Sequence, residues 1–136
     1  MGNKQSSKEW LVKAYHDLKS AQILYEADHY TDSIGVDLHY CIEKSLKSFL
    51  AYENKRIVKT HDLPELYELV SDFIEIEDEM VLYIATKYHV EISYPQYDRA
   101  LPTKDEIKKV LDFTNALFYK VCKILDIDPD DLKSVR

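Results

Sequence analysis

Residues 39–61 read HYCIEKSLKSFLAYENKRIVKTH, and DLPEL follows at once. Cys41, Ile42, Ser45, Leu46 and Phe49 recur at helical spacing and share one face, while Glu43, Lys44 and Lys47 are expected to point elsewhere. An apolar helical stripe has to be buried against neighbours, and no segment of the chain alternates as a half-buried strand does. The stretch therefore sets the fold class as all-α. Its helix breaks after Glu53, and Lys55, Arg56, Lys59 and His61 crowd into the turn that follows.

Toward the N-terminus, Ser6-Ser7-Lys8-Glu9 has the form of a capping box, which predicts a first helix starting there. Leu11, Ala14, Leu18, Ala21 and Tyr25 form its stripe, and the pattern ends at Asp28-His29. The second helix should run from about Asp32 to Glu53. Gly35 inside it costs about 1 kcal/mol against alanine, so it is expected where the first helix approaches closely.

Toward the C-terminus, Asp62-Leu63-Pro64-Glu65 opens a third, shorter helix carrying Leu66, Leu69, Val70 and Phe73. A fourth is expected from about Asp78 to Val90, with Val81, Ile84, Ala85 and Tyr88 inward. Residues 94–102, with prolines at 95 and 102, should be a loop. Thr103-Lys104-Asp105-Glu106 is a second capping box, and Ile107, Val110, Leu111, Thr114, Leu117, Phe118, Val121, Ile124 and Leu125 keep the cleanest helical repeat in the chain. Asp128-Pro129 can start one last short turn. Short connections between such helices predict an up-and-down antiparallel four-helix bundle with an additional short helix, formed by residues 1–136 as one domain.

Composition narrows the classes of function. The net charge of −7 excludes a protein whose whole surface is a nucleic-acid platform. The acidity lies in the second half: from Asp62 to Glu79 there are eight acidic side chains and no Lys or Arg, read as a solvated face or as a patch for a basic partner protein. No apolar run reaches the ~18 residues needed to cross a bilayer, and MGNKQSSKEW lacks a signal-peptide core, so a cytoplasmic protein with no membrane contact is expected. Cys41 and Cys122 fall within helical patterns and read as reduced, core-packed thiols. His16, His29, His39 and His89 show no metal-ligand spacing with Cys or acidic residues, so neither a metal nor a cofactor is expected.

The run Glu43, Lys44, Ser45, Leu46, Lys47, Phe49, Leu50, with Thr60-His61-Asp62-Leu63 after it and Tyr94-Pro95 later, resembles the HEPN family of small helical proteins. The resemblance covers most of the chain. Where the family carries an arginine before Tyr-Pro, this chain has Ser93. The resemblance implies a helical bundle that forms homodimers, partners a small (minimal) nucleotidyltransferase in a toxin–antitoxin-type pair, and binds nucleotide or RNA.

The basic turn admits three readings. Arg56-Ile57-Val58-Lys59-Thr60-His61 spells Arg-x-x-x-x-His, the spacing that the resemblance associates with metal-independent ribonucleases; the arginine would bind the scissile phosphate and the histidine act as general acid or base. Alternatively Lys55, Arg56, Lys59 and His61, near a helix N-terminus and with Tyr88, Tyr94 or Tyr97 to stack on a base, form a nucleotide or anion site. In the third reading, His61 holds the turn in place and the cations are solvated. Glu43 and Lys47 stand in the favourable order for a helical ion pair. Two functional hypotheses result: an interaction protein that partners a nucleotidyltransferase, and a ribonuclease toxin using Arg56 and His61.

Overall fold

The computed structural model describes residues 2–95 and 100–136. Among them it contains six α-helices and no strand: α1 (Lys4–Glu26), α2 (Thr31–Tyr52), α3 (Leu63–Val70), α4 (Met80–His89), α5 (Lys104–Ile124) and α6 (Asp130–Lys133). The helices pack on one another as a bundle with short additional helices, as the periodicity predicts. None of them is long and apolar enough to cross a membrane.

α2 occupies the middle, touching α1, α3, α4 and α5. From Cys41 to Ala51 every residue but Lys44 is buried, so Glu43 and Lys47, expected off the apolar face, lie inside as well, where they form the ion pair their order predicts at 3.1 Å. One apolar stripe implies one wet face. A helix with neighbours all round has none.

Gly35 also departs from expectation. A Cβ built there would meet the ring of Tyr88 on α4 at 2.9–3.3 Å, so the close approach is by α4 and not by the first helix. Tyr88 is itself buried and donates its hydroxyl to Glu106 Oε2 at 2.6 Å, which ties α4 to α5.

The ends of the helices explain the remaining differences. α1 starts at Lys4, ahead of the serine pair, because Asn3 is its cap: the Asn3 side chain accepts from Ser6 N–H at 3.0 Å. The Asn3 N–H donates to Tyr52 O at 2.7 Å and its amide to Asn54 Oδ1 at 2.8 Å, anchoring the start of α1 on the end of α2. Ser7 is buried and bonds Lys4 O within the first turn. Asp62 and Thr103 cap α3 and α5 as expected, accepting from Glu65 and Glu106 N–H.

With two glycines in the chain, α1, α2 and α5 end on other residues. Asp28, Asn54 and Asp126 take the left-handed conformation (φ 54–56°) directly after the helix caps. The next N–H then reaches back five residues in each case, His29 to Leu24 O, Lys55 to Leu50 O and Ile127 to Cys122 O, closing a Schellman motif. Asn and Asp are the side chains that tolerate this region best after glycine.

The α5 stripe is buried from Ile107 to Val121, but Ile124 is 40 % exposed; in α3, Leu69 faces solvent while Leu63, Leu66 and Val70 are buried. Cys41 and Cys122 are free thiols buried in the core, and burial pushes both up, Cys122 to about 12.

Candidate functional site

His39, Glu43 and Lys47 stand four apart on α2 and so share one side of that helix. Because α2 is enclosed, that side faces protein, and their side chains are at most 7 % exposed. α4 brings His89 alongside and the turn before α3 brings His61. Sequence spacing alone does not bring these five residues together.

Glu43 is the hub. Its Oε1 lies 2.7 Å from His61 Nδ1 and 3.2 Å from His39 Nε2, and its Oε2 lies 3.1 Å from Lys47 Nζ. Burial pushes the carboxyl up, but hydrogen bonds from His39, His61 and Lys47, with the charge of Lys47, outweigh it and hold Glu43 at about 2. The carboxylate is ionised at neutral pH.

His39 is fully buried, and its Nδ1 lies 2.9 Å from the Ala85 carbonyl oxygen. Both of its ring nitrogens therefore face acceptors, whereas a neutral imidazole has one N–H to give. His61 is half-exposed and stacks on His89 with ring centroids 3.8 Å apart and planes 18° from parallel. Burial, then the charges of His61 and His39, push His89 down, toward its neutral form. The His89 Nδ1 atom is buried without a hydrogen-bond partner. A cleft of about 310 Å³ opens beside the stack, lined by His61, Thr86, His89 and Glu91 among others.

The residues expected at the basic turn are placed as follows. His61 joins the buried cluster; its partners are Glu43 and the rings of His39 and His89, and Arg56 is not among them. Lys55 pairs with Glu53 at 2.9 Å on the surface. Arg56 and Lys59 are exposed and make no hydrogen bond or ion pair among the described residues. Tyr94 is 52 % exposed, Tyr88 is buried in the core and closed to a stacking base, and Tyr97 lies outside the described residues.

The N-terminus of α3 holds no free donor for an anion. Leu63 N–H goes to Thr86 Oγ1, Glu65 N–H to Asp62 Oδ1 and Leu66 N–H to Asp62 O, and Pro64 has none. Phosphate contacts at this turn would rest on the Arg56 and Lys59 side chains. The arrangement offers three capabilities: a carboxylate-oriented imidazole in His61, two uncommitted surface cations, and a two-histidine, one-carboxylate donor set within 4.8 Å. His39, Glu43, Lys47 and His89 were missed as site residues. The available signal was a polar residue at three positions four apart, His39, Glu43 and Lys47, each directly preceded by Leu or Ile.

A family model described as HEPN domain matches residues 7–125, nearly the whole chain. No curated protein and no solved structure matches it.

Proposed function

Since the chain belongs to the HEPN domain family, we propose that it acts as a single-domain cytoplasmic homodimer, an interaction protein that partners a minimal nucleotidyltransferase in a toxin–antitoxin-type pair and holds nucleotide or RNA phosphate on its basic turn. The observation that carries the reading is the pair of exposed cations, Arg56 and Lys59, without a hydrogen-bond or ion-pair partner among the described residues, on a chain of net charge −7. Unpaired cations on an acidic protein are free to take a phosphate without first breaking an ion pair. Two further features support the partner half of the reading. Ile23, Tyr30, Leu69, Met80 and Tyr83 are at least half exposed, and Asp62, Glu65, Glu68 and Glu79 line one groove between α3 and α4 that suits a basic partner.

A second reading is favoured by the 2.7 Å contact between Glu43 and His61. A carboxylate on Nδ1 of a half-exposed histidine orients the ring as a general base, as metal-independent RNA cleavage by Arg56 and His61 would need. Light scattering tests the homodimer: the expected mass is twice the chain's 16.0 kDa, and a monomer at micromolar concentration would oppose it. Co-purification with a minimal nucleotidyltransferase encoded beside it tests the partner. If the two proteins fail to associate, the pairing is wrong.

A further inference from the structure

We propose that His39, Glu43 and His61 form a binding site for one divalent transition-metal ion of the zinc type. One ligand atom from each residue lies within 4.8 Å of the other two. Two imidazole nitrogens and one carboxylate oxygen, with a further position open, is a donor set that zinc and its neighbours accept in water-binding sites. At metal–ligand bonds of about 2.0–2.1 Å, tetrahedral ligand atoms stand about 3.3 Å apart. Glu43 Oε1 already lies 3.2 Å from His39 Nε2 and 2.7 Å from His61 Nδ1. The two contacts to Glu43 need to lengthen by well under an ångström, and the two imidazole nitrogens, within 4.8 Å of each other, have to close toward about 3.3 Å, a movement that falls to the half-exposed His61 ring.

The orientation of His39 points to the same ion. An Nδ1–H donated to the Ala85 carbonyl oxygen leaves the Nε2 lone pair aimed at Glu43 Oε1. Two acceptors then face each other inside the protein, an arrangement that only a proton or a metal cation between them makes favourable. The Ala85 contact is also the outer hydrogen bond that a metal-bound histidine characteristically makes, fixing which nitrogen is presented. Lys47 occupies Glu43 Oε2, which restricts the carboxylate to one ligand atom.

The cleft beside the His61–His89 stack opens the His61 side of the cluster to solvent, the side from which an ion and its water would enter. Lys47 within the cluster and Lys87 at the cleft oppose a cation, so the affinity expected is micromolar and not that of a closed structural zinc site. On binding, the ion displaces any proton held between the two imidazoles and the carboxylate, and that proton leaves to solvent.

The test uses the whole chain with Zn²⁺ by calorimetry and Co²⁺ by visible absorption. The expected result is one ion per chain and a Co²⁺ spectrum of low coordination number. His61→Ala, whose side chain is half-exposed and whose fold is checked by circular dichroism, should weaken binding about 100-fold or more. His29→Ala, a surface histidine on another turn, should leave it unchanged. Failure of wild type to bind at millimolar metal, binding that survives His61→Ala, or equal loss in His29→Ala would each overturn the site. None of these outcomes depends on the dimer or the nucleotidyltransferase partner.

Discussion

Glu43 and His61 meet at 2.7 Å across 18 residues of sequence, joining the middle of a buried helix to an exposed turn. The contact converts a residue read as surface charge into the organising group of the cluster. Its carboxylate has to be ionised for the cluster to hold.

Acid should expose that requirement. Glu43 sits at about 2 when folded, against about 4.3 for an ordinary glutamate. Its stabilising contribution is fully present above pH ~4.3 and is lost as pH falls toward ~2. Urea midpoints measured over that range should therefore fall in wild type. In Glu43→Gln the profile should be flatter and the stability at pH 7 lower by about 3 kcal/mol, because Lys47 stays buried without its counter-ion. An unchanged acid profile in the variant would refute the assignment.

Gly35→Ala should destabilise even though alanine favours helix by about 1 kcal/mol. The added methyl meets the Tyr88 ring at 2.9 Å, and that ring is held by its neighbours and by Glu106. A net loss of about 1–3 kcal/mol in chemical denaturation is expected. Repeating the substitution in a Tyr88→Leu background should remove most of the penalty, and a clash elsewhere would leave it in place.

The opposite sign is expected at Asp126. Its φ of 54° costs an L-residue energy that glycine avoids, and its one ion pair among the described residues, with Lys4 at 3.4 Å, is solvent-exposed. Asp126→Gly should raise the melting temperature by the equivalent of about 0.5–1 kcal/mol, and Asp126→Ala should lower it. Two variants moving the same way would contradict the conformational account.

Arg56→Ala and His61→Ala separate the two functional readings. On the interaction reading, Arg56→Ala weakens nucleotide or RNA binding in a salt-dependent manner, while His61→Ala mainly loosens the cluster around Glu43. On the ribonuclease reading, wild type cleaves RNA without added metal and each substitution costs about 100-fold or more. RNA left intact by wild type, free of any partner, removes the second reading. Binding unaffected by Arg56→Ala removes the phosphate role of the turn.

Local rules carried the fold a long way. Helical periods, the caps at Asp62 and Thr103, and the short final helix were all legible, because each depends on neighbours within four residues. The cap of α1 was not, because Asn3 is fixed by Tyr52 and Asn54, far along the chain. The partner of Gly35 was hidden for the same reason. Of the cluster only His61 stood out in sequence as a site residue, while Glu43 and Lys47 stood out as a helical ion pair. His39 and Glu43 sit at an ordinary helical spacing, and what distinguishes them is burial, set by how many helices surround α2.

The enclosure of α2 divides the cluster into a deep wall and a shallow one. Backbone amides from Cys41 to Ala51 belong to a helix packed by four others, so their exchange with solvent deuterium should wait for the bundle as a whole to come apart. His61 is carried instead on a segment without regular structure, between the end of α2 and an eight-residue helix, and its amide should exchange through smaller, local openings. Deuterium uptake should therefore differ sharply between the two halves of one hydrogen-bonded cluster.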